Sequence, residues 1–210
     1  MKRLALLGAS GHGKVVADAA IASGWQQIDF FDDAWPSCAS NGYWPVAGNT
    51  LALIKQLDQY DGVIVSIGHC ATRLRKHEDL GAHGAHLVSI VHPRATVSPF
   101  ARIGIGTVVM AGAVINVDAE IGAAVIVNTG ATVDHDCRLA HGVHVAPGAH
   151  LSGNVSVGAS SWIGVGACVR QGLRIGDNVM VGAGAVVVRD VPANLTVVGN
   201  PARPFNPRSC

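Results

Sequence analysis

The stretch NTGATVDHDCRLAHGVHVAPGAH holds four of the chain's ten histidines, His135, His141, His144 and His150, among side chains with almost no bulk. An imidazole changes charge near neutral pH, so it can move a proton, ligate a metal through a neutral nitrogen, or decorate a surface. His135 stands out because Asp134 and Asp136 flank it. A carboxylate on one ring nitrogen fixes the tautomer and stabilises the imidazolium, leaving the other nitrogen to accept a proton. Neighbours on a strand point to opposite faces, so contact between His135 and Asp136 needs a corner or a kink; otherwise Asp134 takes that part. Cys137 invites a covalent acyl-enzyme. It shares a register with Ala131 and Ala149, however, and such a position suits a small buried hydrophobe.

A second group lies near the start. GASGHG places Ser10, Gly11 and His12 where a strand meets a helix, and backbone N–H groups there can cradle a phosphate. The glycine spacing differs from the dinucleotide fingerprint. Asp32 and Asp33 end the next strand, where an acid meets a ribose hydroxyl or a base. His12 has three roles open to it: touching a sugar, touching a phosphate, or capping the turn.

The elements that must position these residues show in the periodicity. Stepping by six from Val91 to Val187 gives seventeen aliphatic residues in seventeen positions. Two residues before each stands mostly Ala, Thr, Ser, Cys or Val, and Gly104, Gly122, Gly158, Gly164, Gly176 and Gly182 follow an aliphatic position. Neither an amphipathic helix nor an alternating hairpin sheet repeats by six. Short strands joined by corners do, three to a coil, with coils about 4.8 Å apart. Such a hexapeptide parallel β-helix of nearly six coils is roughly 27 Å tall. Residues 1–90 read differently. They predict a strand and glycine turn, a helix over Lys14–Ser23, a strand through QIDFF, a helix over Leu51–Leu57, a strand over Gly62–Ile67 and a helix over Ala71–Leu80. That alternation implies a small parallel sheet. Ninety residues are too few for a full dinucleotide domain, so a mononucleotide or nucleotide-sugar fits better than NAD.

Composition excludes other classes. Net charge is +1 with 14% charged residues, which gives neither a nucleic-acid footprint nor an acidic tail. The 26 glycines and 5% aromatics suit many tight turns around small aliphatic side chains. Cys38, Cys70, Cys137, Cys168 and Cys210 are odd in number and scattered, which favours free thiols and a reducing, cytoplasmic setting. No eighteen-residue apolar run suggests membrane insertion.

Taken together, GASGHG, FFDD, VSIGHCATR, VHPRATVSP, NTGATVDHDC, HVAPGAHLSG, VGAGAVVVRDV and VVGNPAR resemble the hexapeptide-repeat sugar acetyltransferases. The nearest branch holds the UDP-4-amino-sugar N-acetyltransferases of bacillosamine synthesis, the perosamine N-acetyltransferases and the NeuD-type sialic acid O-acetyltransferases. The resemblance implies a Rossmann-like unit over 1–90 and a left-handed parallel β-helix with a C-terminal tail over 91–210. It further implies a homotrimer with acetyl-CoA in the groove between columns and no metal. By position, His135 matches the general base and Asp136 its supporting carboxylate, where several relatives carry glutamate. His144, Gly153, Val165 and Ala183 match acetyl-CoA contacts. Ser10, Gly11, His12 and Gly68 match the nucleotide-sugar loops, Asp32 and Asp33 the uridine side, and Asn128 a polar residue near the reacting centre. The expectation is direct acetyl transfer to the amine of a nucleotide-linked sugar for surface glycan synthesis, with His144 of one subunit approaching His135 of the next; the alternative within the family is O-acetylation of a sialic acid. A γ-carbonic-anhydrase-like zinc enzyme could use His135, His141 and His144 as ligands, but it leaves the front unit without a purpose. A non-catalytic nucleotide-sugar sensor is the third reading.

Overall fold

The computed structural model describes residues 1–205; Cys210 lies outside them. The chain divides into two compact units, Met1–Pro93 and a second beginning at Arg94.

In the first unit, RLALL forms β1 (Arg3–Leu7) and GHGKVVADAAIA forms α1 (Gly11–Ala22), followed by β2 (Gln27–Phe31). Next come β3 (Ser40–Asn41), β4 (Trp44–Gly48), α2 (Thr50–Ile54), β5 (Gly62–Val65) and α3 (Cys70–Ala82). The sheet order is β3-β4-β2-β1-β5. It is parallel except for the β3–β4 hairpin, which sequence reasoning did not anticipate. Helix α1 starts three residues before the expected Lys14, because Ser10, with extended φ −117°, is the N-cap and the glycines form the first turn. Strands β1, β2 and β5 are buried on both faces, as parallel strands under helices must be. The chain reverses its winding between β1 and β5, which places the loops after those strands at a topological switch point.

The second unit is a three-sided column of two-residue strands. One face runs from Val108–Val109 through His144–Val145 to Thr196–Val198. The second runs from Thr96–Val97 through Thr132–Val133 to Val186–Val187, and the third from Arg102–Ile103 through Arg138–Leu139 to Arg174–Ile175. Each strand pairs in parallel with the strand eighteen residues on, as Thr132 does with His150. The six-step aliphatics from Val109 to Val187 are all buried and stack on one another. The expectation fails at the start, where Val97 and Ile103 are half-buried and Val91 is 38% exposed. Thr107 and Ser161 are fully buried in the small-residue register. Their hydroxyls donate to Gly122 O and Gly176 O and accept from Val125 N and Val179 N, so no polar atom there is orphaned. After Val187 the repeat shortens by two residues: Ile175 bridges to Val191 and Val181 pairs with Val197.

Two different constraints operate at the corners. Every sixth residue from Gly106 to Gly184 has a left-handed φ, between 52° and 74°. The glycines noticed in the sequence serve another purpose, since they lie against the next coil. A Cβ on Gly164 would come within 2.4 Å of Val181 O, whereas one on Gly112, at φ +70°, would meet nothing nearer than 3.8 Å. Gly164→Ala is therefore expected to cost about 1–3 kcal/mol through overpacking. Gly112→Asn should stay within about 1 kcal/mol, because asparagine visits the left-handed region readily. Urea unfolding of the two variants checks this, and equal losses would contradict it.

Candidate active site

Thr132–Val133 ends at a corner formed by Asp134, His135, Asp136 and Cys137, and the chain resumes as Arg138–Leu139. Asp136 occupies the left-handed slot at φ +60°. That conformation resolves the geometric difficulty of adjacent residues, since it turns the carboxylate back towards the preceding ring. His135 Nδ1 lies 2.7 Å from Asp136 Oδ2. Asp134 does not substitute for Asp136. Its Oδ1 accepts from His135 N at 2.9 Å and Asn116 Nδ2 at 2.8 Å, which braces the corner from the coil before. Those two hydrogen bonds hold the Asp134 carboxyl below its ordinary range. The hydrogen bond that His135 donates to Asp136 raises the imidazole above its usual 6.5, and the charges of Asp134 and Asp136 add to it.

The other edge of the ring faces Gly153, one coil further on. A Cβ there would lie 2.5 Å from both Cε1 and Nε2 of His135, so only glycine leaves room for the imidazole in this pose. Among the described residues no acceptor takes the Gly153 N–H, which leaves a backbone donor beside Nε2. Cys137 is fully buried and its Sγ bonds Ser152 O at 3.2 Å; burial pushes its thiol up, away from reactivity.

The remaining predicted contacts of the column fall elsewhere on the same chain. Val165 and Ala183 are exposed and sit eighteen residues apart on the edge between the first and second faces. Gly153 shares the His135 edge, between the second and third. His144 is 3% exposed although its strand neighbour Val145 takes the core position; its ring centroid lies 4.1 Å from that of Trp162, and Nε2 is 3.0 Å from Asn128 Nδ2. Asn128 thus attaches to His144 rather than to His135 within one chain. His141 Nδ1 accepts from Ala123 N at 2.9 Å, and His150 Nδ1 lies 2.9 Å from Thr132 Oγ1, so both serve the repeat. Among the described residues no three His, Cys, Asp or Glu side chains are grouped to hold a metal ion. The ligand set His135, His141 and His144 is not brought together.

In the first unit, both aspartates expected on the uridine side are engaged by the fold. Asp32 accepts from Ala9 N at 2.7 Å and Ala34 N at 2.9 Å, so it braces the glycine loop. Asp33 accepts from Thr50 N at 3.0 Å and Lys76 Nζ at 2.7 Å. Burial works to raise the Asp33 carboxyl, and the bonds from Lys76 and Thr50 overcome it, leaving the pKa at about 2. Asn41 of the unexpected hairpin donates to Ser10 O at 3.1 Å. Gly11 and Gly68 face open space. His12 is pushed down to about 4 by burial and then by the charge of Arg73, so its imidazole is neutral at working pH.

Residues 3–80 match the PglD N-terminal domain family. The chain is 37% identical over 113 residues to UDP-N-acetylbacillosamine N-acetyltransferase of Bacillus subtilis (strain 168), a match spanning 53% of this chain and only about half, 52%, of that relative. Among solved structures it is similar to the acetyltransferase domain of PglB from Neisseria gonorrhoeae FA1090, at 48% identity and TM-score 0.92 over 98% of this chain and 100% of that one. That domain is also known in complex with acetyl coenzyme A. PerB from Caulobacter crescentus, in complex with CoA and GDP-perosamine, shares 40% identity over 98% of each chain with TM-score 0.93. The small parallel sheet is thus followed by a left-handed parallel β-helix. With nearly every residue of both folds aligned at 40–48% identity, the chain belongs to the PglD/PerB-like family of nucleotide-amino-sugar acetyltransferases.

Proposed function

We propose that this chain transfers an acetyl group from acetyl-CoA to the amino group of a nucleotide-linked amino-sugar. The observation that carries the reading is the corner at His135: Nδ1 held by Asp136 at 2.7 Å, Nε2 aimed past Gly153, and an unclaimed amide beside it. The bond to Asp136 keeps the Nδ1 proton in place, so Nε2 carries the lone pair. Nε2 takes the proton that the sugar amine loses as it attacks a carbonyl carbon, and Asp136 stabilises the imidazolium so formed. The Gly153 amide is the donor placed for negative charge developing on the carbonyl oxygen. Acetyl-CoA supplies the activated acetyl as a thioester; once the C–N bond has formed, the C–S bond breaks and the CoA thiolate leaves, taking the proton back from the imidazolium as the thiol. The exposed edge at Val165 and Ala183 and the amide of Gly153 suit its pantetheine arm and thioester, respectively. The first unit's task is the nucleotide: glycines 11 and 68 leave open space where a side chain would stand, with Ser10 and a neutral His12 beside Gly11. Asp32 and Asp33 shape that site, Asp32 through the glycine loop itself.

Support for a trimer comes from how the contacts divide. Val165 and Ala183 lie on one edge of the column, and Gly153 and His135 lie on another. A neighbouring column presenting its Val165 edge to the His135 edge would complete one site from two chains. His144 then contributes from behind Asn128, as its support, rather than by reaching His135 directly.

Thiol release from acetyl-CoA across a panel of UDP- and GDP-linked amino-sugars and free sialic acids tests the substrate class. Turnover with a sialic acid and with no nucleotide amino-sugar would overturn it. His135→Ala is expected to lower the rate about 10²–10⁴-fold, and full activity in that variant would leave only a sensor.

The pH profile follows from the raised pKa of His135. Only the neutral imidazole accepts a proton, so kcat/KM should fall as pH drops through a midpoint above 6.5. Asp136→Asn removes the main cause of that rise. Its midpoint, read by rate and by NMR of the imidazole, should move downward while the plateau rate also falls. An unmoved midpoint counts against the dyad.

Sedimentation equilibrium tests the assembly. A trimer is expected, and a monomer that retains full turnover rules out a shared site.

A further inference from the structure

Among the described residues the largest fully buried side chain is a cation, Arg73 on the first turn of α3, with 0% exposure. Removing a guanidinium from water is costly unless its donors find acceptors. Here Nη1 donates to Ile67 O at 3.0 Å and Gly68 O at 2.7 Å, so the loop after β5 winds round the charge. The same loop is joined to the glycine loop after β1. Ser66 Oγ donates to Gly8 O at 2.8 Å, and the space a Gly8 side chain would need is filled by Ile67 Cγ1, 2.7 Å from the ideal Cβ. There is room beside both loops: a Cβ built on Gly11 or on Gly68 would meet nothing within 4 Å. The guanidinium therefore holds one of two joined backbone loops, each with open space at a glycine Cα.

We propose that Arg73 is a positioning residue for the nucleotide: it fixes the Gly68 loop against the glycine loop and supplies a permanent positive charge behind the amides that meet the diphosphate. The proposal rests on the nucleotide-sugar reading above and deepens it. Arginine is suited to the task because one terminal nitrogen of its rigid, planar guanidinium reaches two carbonyls at once and the group stays protonated when buried. The charge is felt on the loop, since it contributes to keeping His12 neutral. Lysine would preserve the charge without the planar guanidinium, and methionine would preserve only the bulk.

The test measures UDP and GDP binding by calorimetry to the full chain and to Arg73→Lys and Arg73→Met, alongside the KM for acetyl-CoA. For the variants the expected result is nucleotide affinity lowered about tenfold or more in Arg73→Met and less in Arg73→Lys, with the acetyl-CoA KM unchanged within about threefold. If Arg73→Met does not fold, Arg73→Lys decides alone. Wild-type nucleotide affinity in a folded Arg73→Lys overturns the proposal, as does a parallel loss of acetyl-CoA binding, which would mark Arg73 as merely structural. A wild-type chain that binds neither nucleotide overturns the underlying reading as well, so the two failures are told apart.

Discussion

The second unit depends on one backbone constraint: to turn a corner every six residues, the chain must place a residue in the left-handed region at each corner. For most L-residues that conformation costs about 1–2 kcal/mol, and glycine, asparagine and aspartate bear it most easily. On the edge between the first and second faces the slot is glycine every time, at 112, 130, 148, 166 and 184. On the edge carrying His135 it holds Asp118, Asp136, Asn154 and Gly172. The His135–Asp136 contact is therefore a by-product of scaffold geometry. A residue chosen for its tolerance of positive φ also carries a carboxylate, and the left-handed turn swings that carboxylate onto the neighbouring ring.

The repeat was legible because aliphatic side chains every sixth residue are required to fill a narrow core, and no other regular structure asks for that period. The left-handed slots were written just as regularly, three residues after each aliphatic position, but attention went to the glycines directly after it. Those are small for a different reason, the close approach of the next coil. The phase was read correctly for the core and one feature short for the corners. His135 and Asp136 could be singled out by type, yet their contact was an open question until φ of Asp136 was known.

Other parts were not legible for physical reasons. The β3–β4 hairpin consists of a two-residue and a five-residue strand with Pro45 inside, too short for periodicity to register. Arg73 sits in VSIGHCATR, a motif noticed for its glycine. A charged residue on a helix reads as solvent-facing unless its partners are known, and those partners are main-chain carbonyls that no side-chain pattern reveals. The aspartates after β2 were legible by type and place, but their bonds to the fold's own amides and to Lys76 were not, because main-chain donors leave no mark in a side-chain pattern.

The floor beneath the imidazole carries a limit on the architecture. Positions 117, 135, 153 and 171 stack along one edge as Val, His, Gly and Gln, and the histidine fits because its upper neighbour has no side chain. An imidazole installed at Val117, beside Asp118, would find the ring of His135 where glycine should be. A solenoid that copies its walls coil after coil therefore cannot copy this pair on adjacent storeys, and the repetition that builds the column also keeps its imidazole–carboxylate corner single.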